Sequence, residues 1–149
     1  MDIKFMKAAL LEAKKAEKMN ETPIGAVIVK DGKIIARGYN KRETKKNALM
    51  HAEIIAIDKA CRKLGGWRLP GCDIYVTLEP CPMCAGAIIQ ARIENVYFGA
   101  FDEKSGSLGS ACDLSAVLPH KITYQGGIMK DECEEIIKSF FKNLRKREK

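Results

Sequence analysis

The spacing of hydrophobic residues along this 149-residue chain predicts helices that alternate with strands. Residues 2–20 have a helical period, with these apolar positions among lysines and glutamates: Ile3, Met6, Leu10 and Ala13. Two β-rich runs follow at 24–30 and 33–39. The Asp31-Gly32 pair between them is typical of a tight hairpin turn. The first quarter of the chain therefore predicts one helix followed by a β-hairpin.

After the hairpin, helical and extended patterns alternate to the end of the chain. The predicted elements are a helix at 48–64, strands at 73–78 and 95–99, a helix at 80–92, a short helix near 113–118, a strand at 121–125 and a helix at 131–149. The expected apolar faces are Ile54, Ile57, Cys61 and Leu64 in the first of these helices, and Cys133, Ile136, Ile137, Phe140, Phe141 and Leu144 in the last. A hairpin followed by strand–helix alternation predicts an α/β fold, with a mixed five-stranded sheet and helices on both faces.

Composition narrows the class of protein. Hydrophobic residues make up 46% and charged residues 30% of the chain, which is typical of a globular protein and of one domain over residues 1–149. No apolar run reaches the length of a membrane span, and the N-terminus lacks a signal-peptide pattern, so we expect no membrane association and a cytoplasmic location. In a reducing compartment, close cysteine pairs indicate metal binding or redox chemistry more than disulfides.

The net charge of +7 is concentrated in two segments. Residues 41–47 carry four basic residues and one acidic residue, and residues 142–149 carry five basic residues and one acidic residue. Two basic patches on a balanced body fit a polyanion partner such as RNA. They fit equally well two solvated surfaces that keep the protein in solution.

Three residues have the types and spacing of zinc ligands: His51, Cys81 and Cys84. Three protein ligands leave a fourth position for water, which is the arrangement of catalytic rather than structural zinc sites. His51 and the Cys81–Cys84 pair both fall at predicted helix starts, where the helix dipole favours the thiolate form of cysteine. The other cysteines are expected to be small core or surface residues: Cys61, Cys72, Cys112 and Cys133.

Glu53 follows His51 by two residues, which places both in the irregular first turn of a helix. Zinc lowers the pKa of a water molecule to about 7, so a carboxylate of nearly neutral pKa suffices to take its proton. Glu53 could pass that proton to a ring nitrogen and then to leaving ammonia. The His-x-Glu and Pro-Cys-x-x-Cys pair is similar to the signature of zinc-dependent nucleobase deaminases.

The same motifs, with further stretches, make the chain resemble the bacterial tRNA-specific adenosine deaminase family of the cytidine deaminase-like superfamily. The resemblance covers nearly the whole chain and includes residues 22–27, 40, 51–53, 66–69, 77–87, 98–100 and 140–141. The zinc motif alone indicates the superfamily. The Thr-Leu-Glu-Pro-Cys run ending at Cys81 and the Trp67-Arg68-Leu69 segment narrow the resemblance to this family.

The resemblance implies a three-layer sandwich that binds one Zn²⁺ per chain, with Glu53 as the catalytic residue. It implies hydrolysis of wobble adenosine, position 34, to inosine in a tRNA anticodon stem–loop, usually of an arginine tRNA, by a homodimer. Asn40 and the backbone of Ala52 match substrate-binding positions, and Asp102 matches a loop position near the nucleotide. The basic end of the last helix matches a region near the anticodon stem–loop, here Arg145, Lys146 and Arg147.

Two segments depart from the family pattern. Residues 113–120 are shorter than usual, with Pro119 in place of an Asn, and residues 47–50 differ from the common form before the histidine. Both loops would border the pocket mouth and so affect RNA contacts rather than chemistry.

Three alternatives stay open at this level. The first is a deaminase of a free base or nucleoside, of guanine or cytosine/cytidine type, whose pocket would be closed by protein. The second is a non-catalytic zinc-bearing RNA-binding module, which would have no use for Glu53. The third is a thiol–disulfide protein using Cys81 and Cys84, which would leave His51 and Glu53 unexplained.

Overall fold

The computed structural model describes residues 1–147, and its elements follow the predicted order. The helices are α1 (Ile3–Lys18), α2 (Ala52–Leu64), α3 (Pro82–Gln90) and α4 (Lys130–Arg147), with a 3-10 turn at Leu114–Ala116. The strands are β1 (Gly25–Lys30), β2 (Lys33–Tyr39), β3 (Cys72–Leu78), β4 (Asn95–Ala100) and β5 (Thr123–Gln125). Residues 148 and 149 of the predicted last helix lie outside the described residues. Within residues 1–147, no helix is long and apolar enough to cross a membrane.

The five strands form one mixed sheet in the order β2-β1-β3-β4-β5. β1 pairs antiparallel with β2 and β3, whereas β3–β4 and β4–β5 are parallel pairs. Ala26 and Ile28 pack with α2 and α3, and Val27 and Val29 pack with α1 on the opposite face. The predicted mixed five-stranded sheet with helices on both faces is therefore confirmed.

Strand direction brings distant residues to one edge of the sheet. β2, β3 and β4 run the same way, so the residues that follow them emerge side by side. These residues are Asn40 after β2, the segment 79–81 after β3 and the segment 101–102 after β4. β1 begins at this same edge, just after Thr22. The ends of strands in open α/β sheets are where ligands bind, and the candidate site is here.

Two helices begin later than the sequence pattern predicts. α2 begins at Ala52 rather than near residue 48, because the Asn47 side chain accepts a hydrogen bond from the Leu49 N–H at 2.9 Å and holds a turn. α3 begins at Pro82 rather than Pro80. In both cases the residue before the helix is a metal-ligand candidate, His51 or Cys81, in extended conformation.

The predicted apolar face of α2 is only partly confirmed. Ile57 and Cys61 pack against the core but are only partly buried, and the fully buried positions lie elsewhere on the helix, where α2 approaches the sheet closely. A Cβ atom at Gly38 of β2 would come within 2.4 Å of the Ala52 carbonyl oxygen. The alanines Ala52, Ala56 and Ala60 are fully buried at this close approach, and Ile55 is buried beside them. The predicted residues lie at the side of the helix, only partly covered except for Leu64, which is exposed.

Two predicted core positions elsewhere are exposed. Ile3 at the start of α1 and Phe141 of α4 lie outside the core, while Met6, Ala9 and Ala13 of α1 are fully buried. As in α2, the alanines of α1 let the helix approach β1 closely. The Asp31-Gly32 hairpin is present as predicted, with φ of 51° and 73°.

Candidate metal centre and pocket

The three predicted zinc ligands converge where α2 and α3 begin. His51 and Cys81 are the N-cap residues of these helices, and Cys84 lies in the first turn of α3. The imidazole Nδ1 of His51 is 3.7 Å from the Cys81 Sγ and 3.5 Å from the Cys84 Sγ. All three donor atoms lie within 4.8 Å of one another.

This geometry fits zinc. Bonds of about 2.3 Å to sulfur and about 2.1 Å to nitrogen, at a tetrahedral angle, place two such donor atoms about 3.6 Å apart. The observed distances bracket that separation. Over residues 1–147 this is the one group of three or more metal-binding side chains so close together, and none of the other four cysteines belongs to it.

The pKa values of the two cysteines in the cluster are shifted in opposite directions. Hydrogen bonds from Cys84 and His51 lower the pKa of Cys81 to about 4, whereas the bond to Cys81 raises the pKa of Cys84. The same bond to Cys81 raises the pKa of His51. Cys81 therefore favours the thiolate form that zinc binds. Because zinc binds thiolates and neutral imidazole, loading this cluster releases protons.

Glu53 is buried beside the cluster, with 4% of its surface exposed. Burial raises the pKa of its carboxyl group to about 7, and the negative charge of Cys81 acts in the same direction. A carboxyl group with a pKa near neutrality can both take and return a proton under physiological conditions.

Asn40 and Ala52 line a cavity of about 100 Å³ together with His51. The Asn40 side chain is buried: its Nδ2 donates to the Thr22 carbonyl at 3.3 Å, and its Oδ1 accepts from the Arg42 N–H at 3.2 Å. One amide hydrogen and one lone pair of this side chain remain for a ligand. The two predicted substrate-binding positions therefore lie directly beside the metal cluster.

Asp102 lies in a separate, larger groove of about 640 Å³ between the 101–105 loop and α4. Its Oδ1 accepts hydrogen bonds from the N–H groups of Lys104 and Ser105, both at 3.1 Å, so it also shapes its own turn. Thr22 lines both the groove and the cavity beside His51. The two spaces therefore meet at Thr22.

The three predicted RNA-binding residues form the exposed end of α4. Arg147 reaches back across the fold, where its Nη1 donates to the Asn20 side chain at 2.7 Å. Asn20 lies just before Thr22 in the chain. The basic end of α4 is thus on the same side of the molecule as the pocket mouth.

Two buried glutamates at this edge have no role in the sequence-based prediction. Glu21 accepts hydrogen bonds from the 41–47 loop, and Glu79 from the 102–110 loop. Glu79 is visible in sequence as an acidic residue directly after a buried strand. Glu21 has no comparable signal, since it lies in an ordinary polar connection between α1 and β1.

The fold and the cluster define the class of protein. The model of the cytidine and deoxycytidylate deaminase zinc-binding region matches residues 1–100, which include all three ligands and Glu53. The chain is a zinc-dependent hydrolytic deaminase with one Zn²⁺, for which the His51, Cys81 and Cys84 cluster provides the donors.

More specific relatives match almost the entire chain. The tRNA-specific adenosine deaminase of Bacillus subtilis is 50% identical over 147 residues, covering 97% of this chain and 91% of the relative. A solved structure from a study of A-to-I editing by tRNA:A34 deaminases is 44% identical, with a TM-score of 0.85, and covers 91% of this chain and 99% of that one. The chain belongs to the tRNA-specific adenosine deaminase family.

A related activity occurs on a similar fold. The structure of guanine deaminase from Bacillus subtilis is 42% identical, with a TM-score of 0.65, and covers 72% of this chain and 69% of that chain. This match covers less of both chains than the match to the tRNA:A34 deaminase structure. The family predicted from the sequence motifs is therefore the one that the more extensive match supports.

Proposed function

We propose that this protein deaminates adenosine to inosine at wobble position 34 of a tRNA, an arginine tRNA in particular, and acts in the cytoplasm. The observation that carries the proposal is a zinc-ligand cluster beside a buried glutamate, in a chain that matches tRNA-specific adenosine deaminases over 97% of its length. The free-base alternative has weaker support, since the guanine deaminase match covers less of both chains.

Glu53 is the proton carrier in this proposal. Bound zinc supplies an activated water by lowering its pKa to about 7. Glu53 would take one proton of that water and deliver it to the adenine ring nitrogen next to the reacting carbon. It would then carry the second proton of the same water to the amino group, which leaves as ammonia while the water oxygen stays on the base as the carbonyl of inosine. Its burial and its pKa of about 7 suit both directions of transfer.

Asn40 and the backbone of Ala52 orient the base. Both line the cavity that includes His51, so a base held there has its reactive edge at the metal. The Asn40 amide offers a donor and an acceptor, which can pair with an adenine edge. Its own hydrogen bonds to Thr22 and Arg42 fix the amide plane before the base arrives.

The groove beside the cavity supports a polynucleotide substrate. Phe101 and Phe141 at its edges are 44% and 40% exposed. Unstacked RNA bases bind exposed aromatic rings, and single-stranded loops are the usual targets of sequence-specific RNA recognition. Asp102 lies in this groove, and the α4 residues Arg145, Lys146 and Arg147 lie farther along the same helix, where phosphates of an anticodon stem could bind.

We also propose that the enzyme is a homodimer. α2 carries a second apolar row beside its buried face: Ile54, Ile57, Cys61 and Leu64. Ile57 and Cys61 pack partly against the core, and the rest of the row is only partly covered or exposed. A helix with an additional apolar row is typical of a subunit interface. A second copy packed here would adjoin His51 at the start of the same helix. Sedimentation velocity of wild type and Ile54→Glu tests this, because the charged variant should be monomeric; a monomeric wild type would contradict it.

The decisive experiment measures inosine in an arginine tRNA anticodon stem–loop with adenosine at the wobble position. Free adenosine, guanine and cytidine are tested in parallel, and Glu53→Ala with measured zinc content is the control. We expect inosine in the RNA, no turnover of the free compounds, and a zinc-loaded but inactive Glu53→Ala. Turnover of guanine or cytidine without inosine in the RNA would show that the substrate is a free base or nucleoside. An active Glu53→Ala would show that Glu53 is not the proton carrier.

A further inference from the structure

Three consecutive backbone N–H groups of the basic 41–47 loop point at two side chains outside the loop: Asn40, directly before it, and Glu21, from the connection between α1 and β1. The Arg42 N–H donates to the Asn40 Oδ1 at 3.2 Å. The Glu43 and Thr44 N–H groups donate to the two carboxylate oxygens of Glu21, at 3.1 and 2.6 Å. Glu21 therefore fixes the loop backbone next to the residue proposed to hold the base.

The loop is also closed within itself. The N–H of Lys45 donates to the Lys41 carbonyl at 2.9 Å, and the N–H of Asn47 donates to the Arg42 carbonyl at 3.0 Å. The backbone N–H groups from Arg42 to Asn47 therefore find their hydrogen-bond acceptors within the loop, on Asn40 or on Glu21. The side chains from Arg42 to Lys46 are exposed. The loop thus presents its cations outward on a fixed backbone.

Glu21 lies at the centre of the segment that borders the mouth of the base pocket. Its neighbour Thr22 accepts a hydrogen bond from Asn40 and lines both the cavity and the groove. Its other neighbour, Asn20, accepts from Arg147. The segment 20–22 therefore connects the base pocket, the basic loop and the basic end of α4.

A carboxylate is an unexpected residue beneath a loop that would bind RNA. Glu21 is 1% exposed, and burial alone would raise its pKa, but hydrogen bonds from Thr44 and Glu43 outweigh burial and lower it. Glu21 is therefore charged at neutral pH and reduces the positive potential of the loop. By charge alone it would weaken RNA binding, so its contribution must come from the geometry that it imposes.

We infer that Glu21 is a positioning residue for the RNA substrate, which holds the 41–47 loop so that its cations meet the phosphates beside the nucleotide bound at Asn40. The inference rests on the proposed function. A fixed array of cations loses less conformational entropy on binding than mobile side chains on a mobile loop. Glu21 does not touch the reacting atoms and acts through the loop.

Two variants with the same change of charge test this inference. Glu21→Gln and Glu43→Gln each remove one negative charge from the same region, but the Glu43 side chain is 76% exposed and pairs with the exposed Arg42 guanidinium at 3.9 Å instead of with a backbone N–H. Electrostatics alone predicts tighter RNA binding for both. Positioning predicts a KM for the stem–loop about tenfold higher for Glu21→Gln, with kcat changed less than about threefold, and an unchanged or lower KM for Glu43→Gln.

The salt dependence of stem–loop affinity gives a second readout. In Glu21→Gln the slope of log affinity against log salt should become shallower, because fewer loop cations meet phosphates, and in Glu43→Gln it should not. Should Glu21→Gln fail to fold, Glu21→Asp keeps the charge and shortens the side chain by one methylene, and it should raise KM while retaining zinc.

Three results would overturn the inference: equal effects of the two Gln variants, a lower KM in Glu21→Gln, or a loss of kcat and zinc with KM unchanged. The proposed function fails in a different way, through the absence of inosine in RNA treated with wild-type enzyme. If wild type and Glu21→Gln edit the RNA equally well, the proposed function stands and only the positioning role of Glu21 is contradicted.

Discussion

The carboxylate of Glu79 accepts a hydrogen bond from the backbone N–H of Leu108 at 3.1 Å, 29 residues further along the chain. The same carboxylate accepts from the N–H groups of Asp102 and Ser110 and from the Ser110 hydroxyl. It is 2% exposed. One side chain at the end of β3 therefore holds the whole loop that follows β4, two residues away from Cys81.

Replacing Glu79 by Gln should destabilise the protein by about 2–4 kcal/mol, because an amide NH₂ would face N–H donors and leave buried groups unsatisfied. The free energy of unfolding from urea titration measures this. Glu103→Gln, an exposed acid in the same loop, is the matched control and should change stability by less than about 0.5 kcal/mol. Equal stability of the two variants would show that the loop holds without Glu79.

Cys84→Ser should weaken zinc binding by more than about 100-fold, beyond the range seen for residues that only support metal ligands. Zinc content after gel filtration measures the loss. Because binding and folding are coupled at such a site, a chelator should lower the unfolding temperature of wild type and leave that of Cys84→Ser unchanged. Cys112→Ser, at an exposed cysteine outside the cluster, should behave like wild type. A zinc-replete Cys84→Ser would contradict the ligand assignment.

Alanine at Arg145, Lys146 and Arg147 together should weaken binding to the RNA stem–loop and reduce the salt slope by about 2, since each lost phosphate contact contributes about 0.7–0.9. Fluorescence anisotropy between 50 and 200 mM salt, the range over which such slopes are usually compared, gives this number. The control removes three cations at the opposite end of the sheet: Lys33, Arg62 and Lys63. If both triple variants lower the slope equally, the effect is one of net charge and the α4 residues have no special position.

Tyr124→Phe should destabilise the protein in a pH-dependent manner. The Tyr124 hydroxyl donates to Asp113 at 2.8 Å, and although burial raises the pKa of Asp113, hydrogen bonds from Ser115 and Tyr124 lower it overall. Wild type should therefore be more stable by about 0.5–1 kcal/mol above the ordinary aspartate pKa of 3.8, a modest value because both groups are partly exposed. That advantage should disappear as pH falls through the lowered pKa and Asp113 becomes protonated.

Unfolding temperatures from pH 2 to 7 measure this difference. Tyr39→Phe is the control, because the Tyr39 hydroxyl faces the Met19 sulfur instead of an acid. The difference in unfolding temperature between Tyr39→Phe and wild type should not vary with pH over this range. A Tyr124→Phe difference that persists undiminished at the lowest pH would mean that packing of the ring, not the bond to Asp113, determines it.

Local signals were sufficient to predict the order of the elements and the metal ligands. Asp31-Gly32 adopts the positive φ angles of the predicted turn because few other pairs tolerate them. His51 and Cys81 fall at helix starts, where proline or a change in hydrophobic period marks the boundary in the sequence. Each of these features depends on residues within one or two turns of chain.

The buried side of α2 and the anchoring glutamates depend on tertiary contacts and could not be predicted in this way. The hydrophobic period correctly indicated a helix, but the side facing the sheet is set by the approach to Gly38, which buries Ala52, Ile55 and Ala56 instead of the predicted row. Glu21 finds its partners 22 and 23 residues away, and Glu79 finds its partners 23 to 31 residues away. Such pairings follow from how strands align, which no local pattern contains.

The close contact between Gly38 and the first turn of α2 has a consequence for the metal. Ala52, whose carbonyl rests on Gly38, is bonded directly to His51, so the height of α2 above the sheet sets how far the imidazole stands from the two thiols on α3. Even one methyl group at position 38 would lift the helix and open the triangle of donor atoms. Zinc affinity should therefore fall in Gly38→Ala, although Gly38 provides none of the three donor atoms.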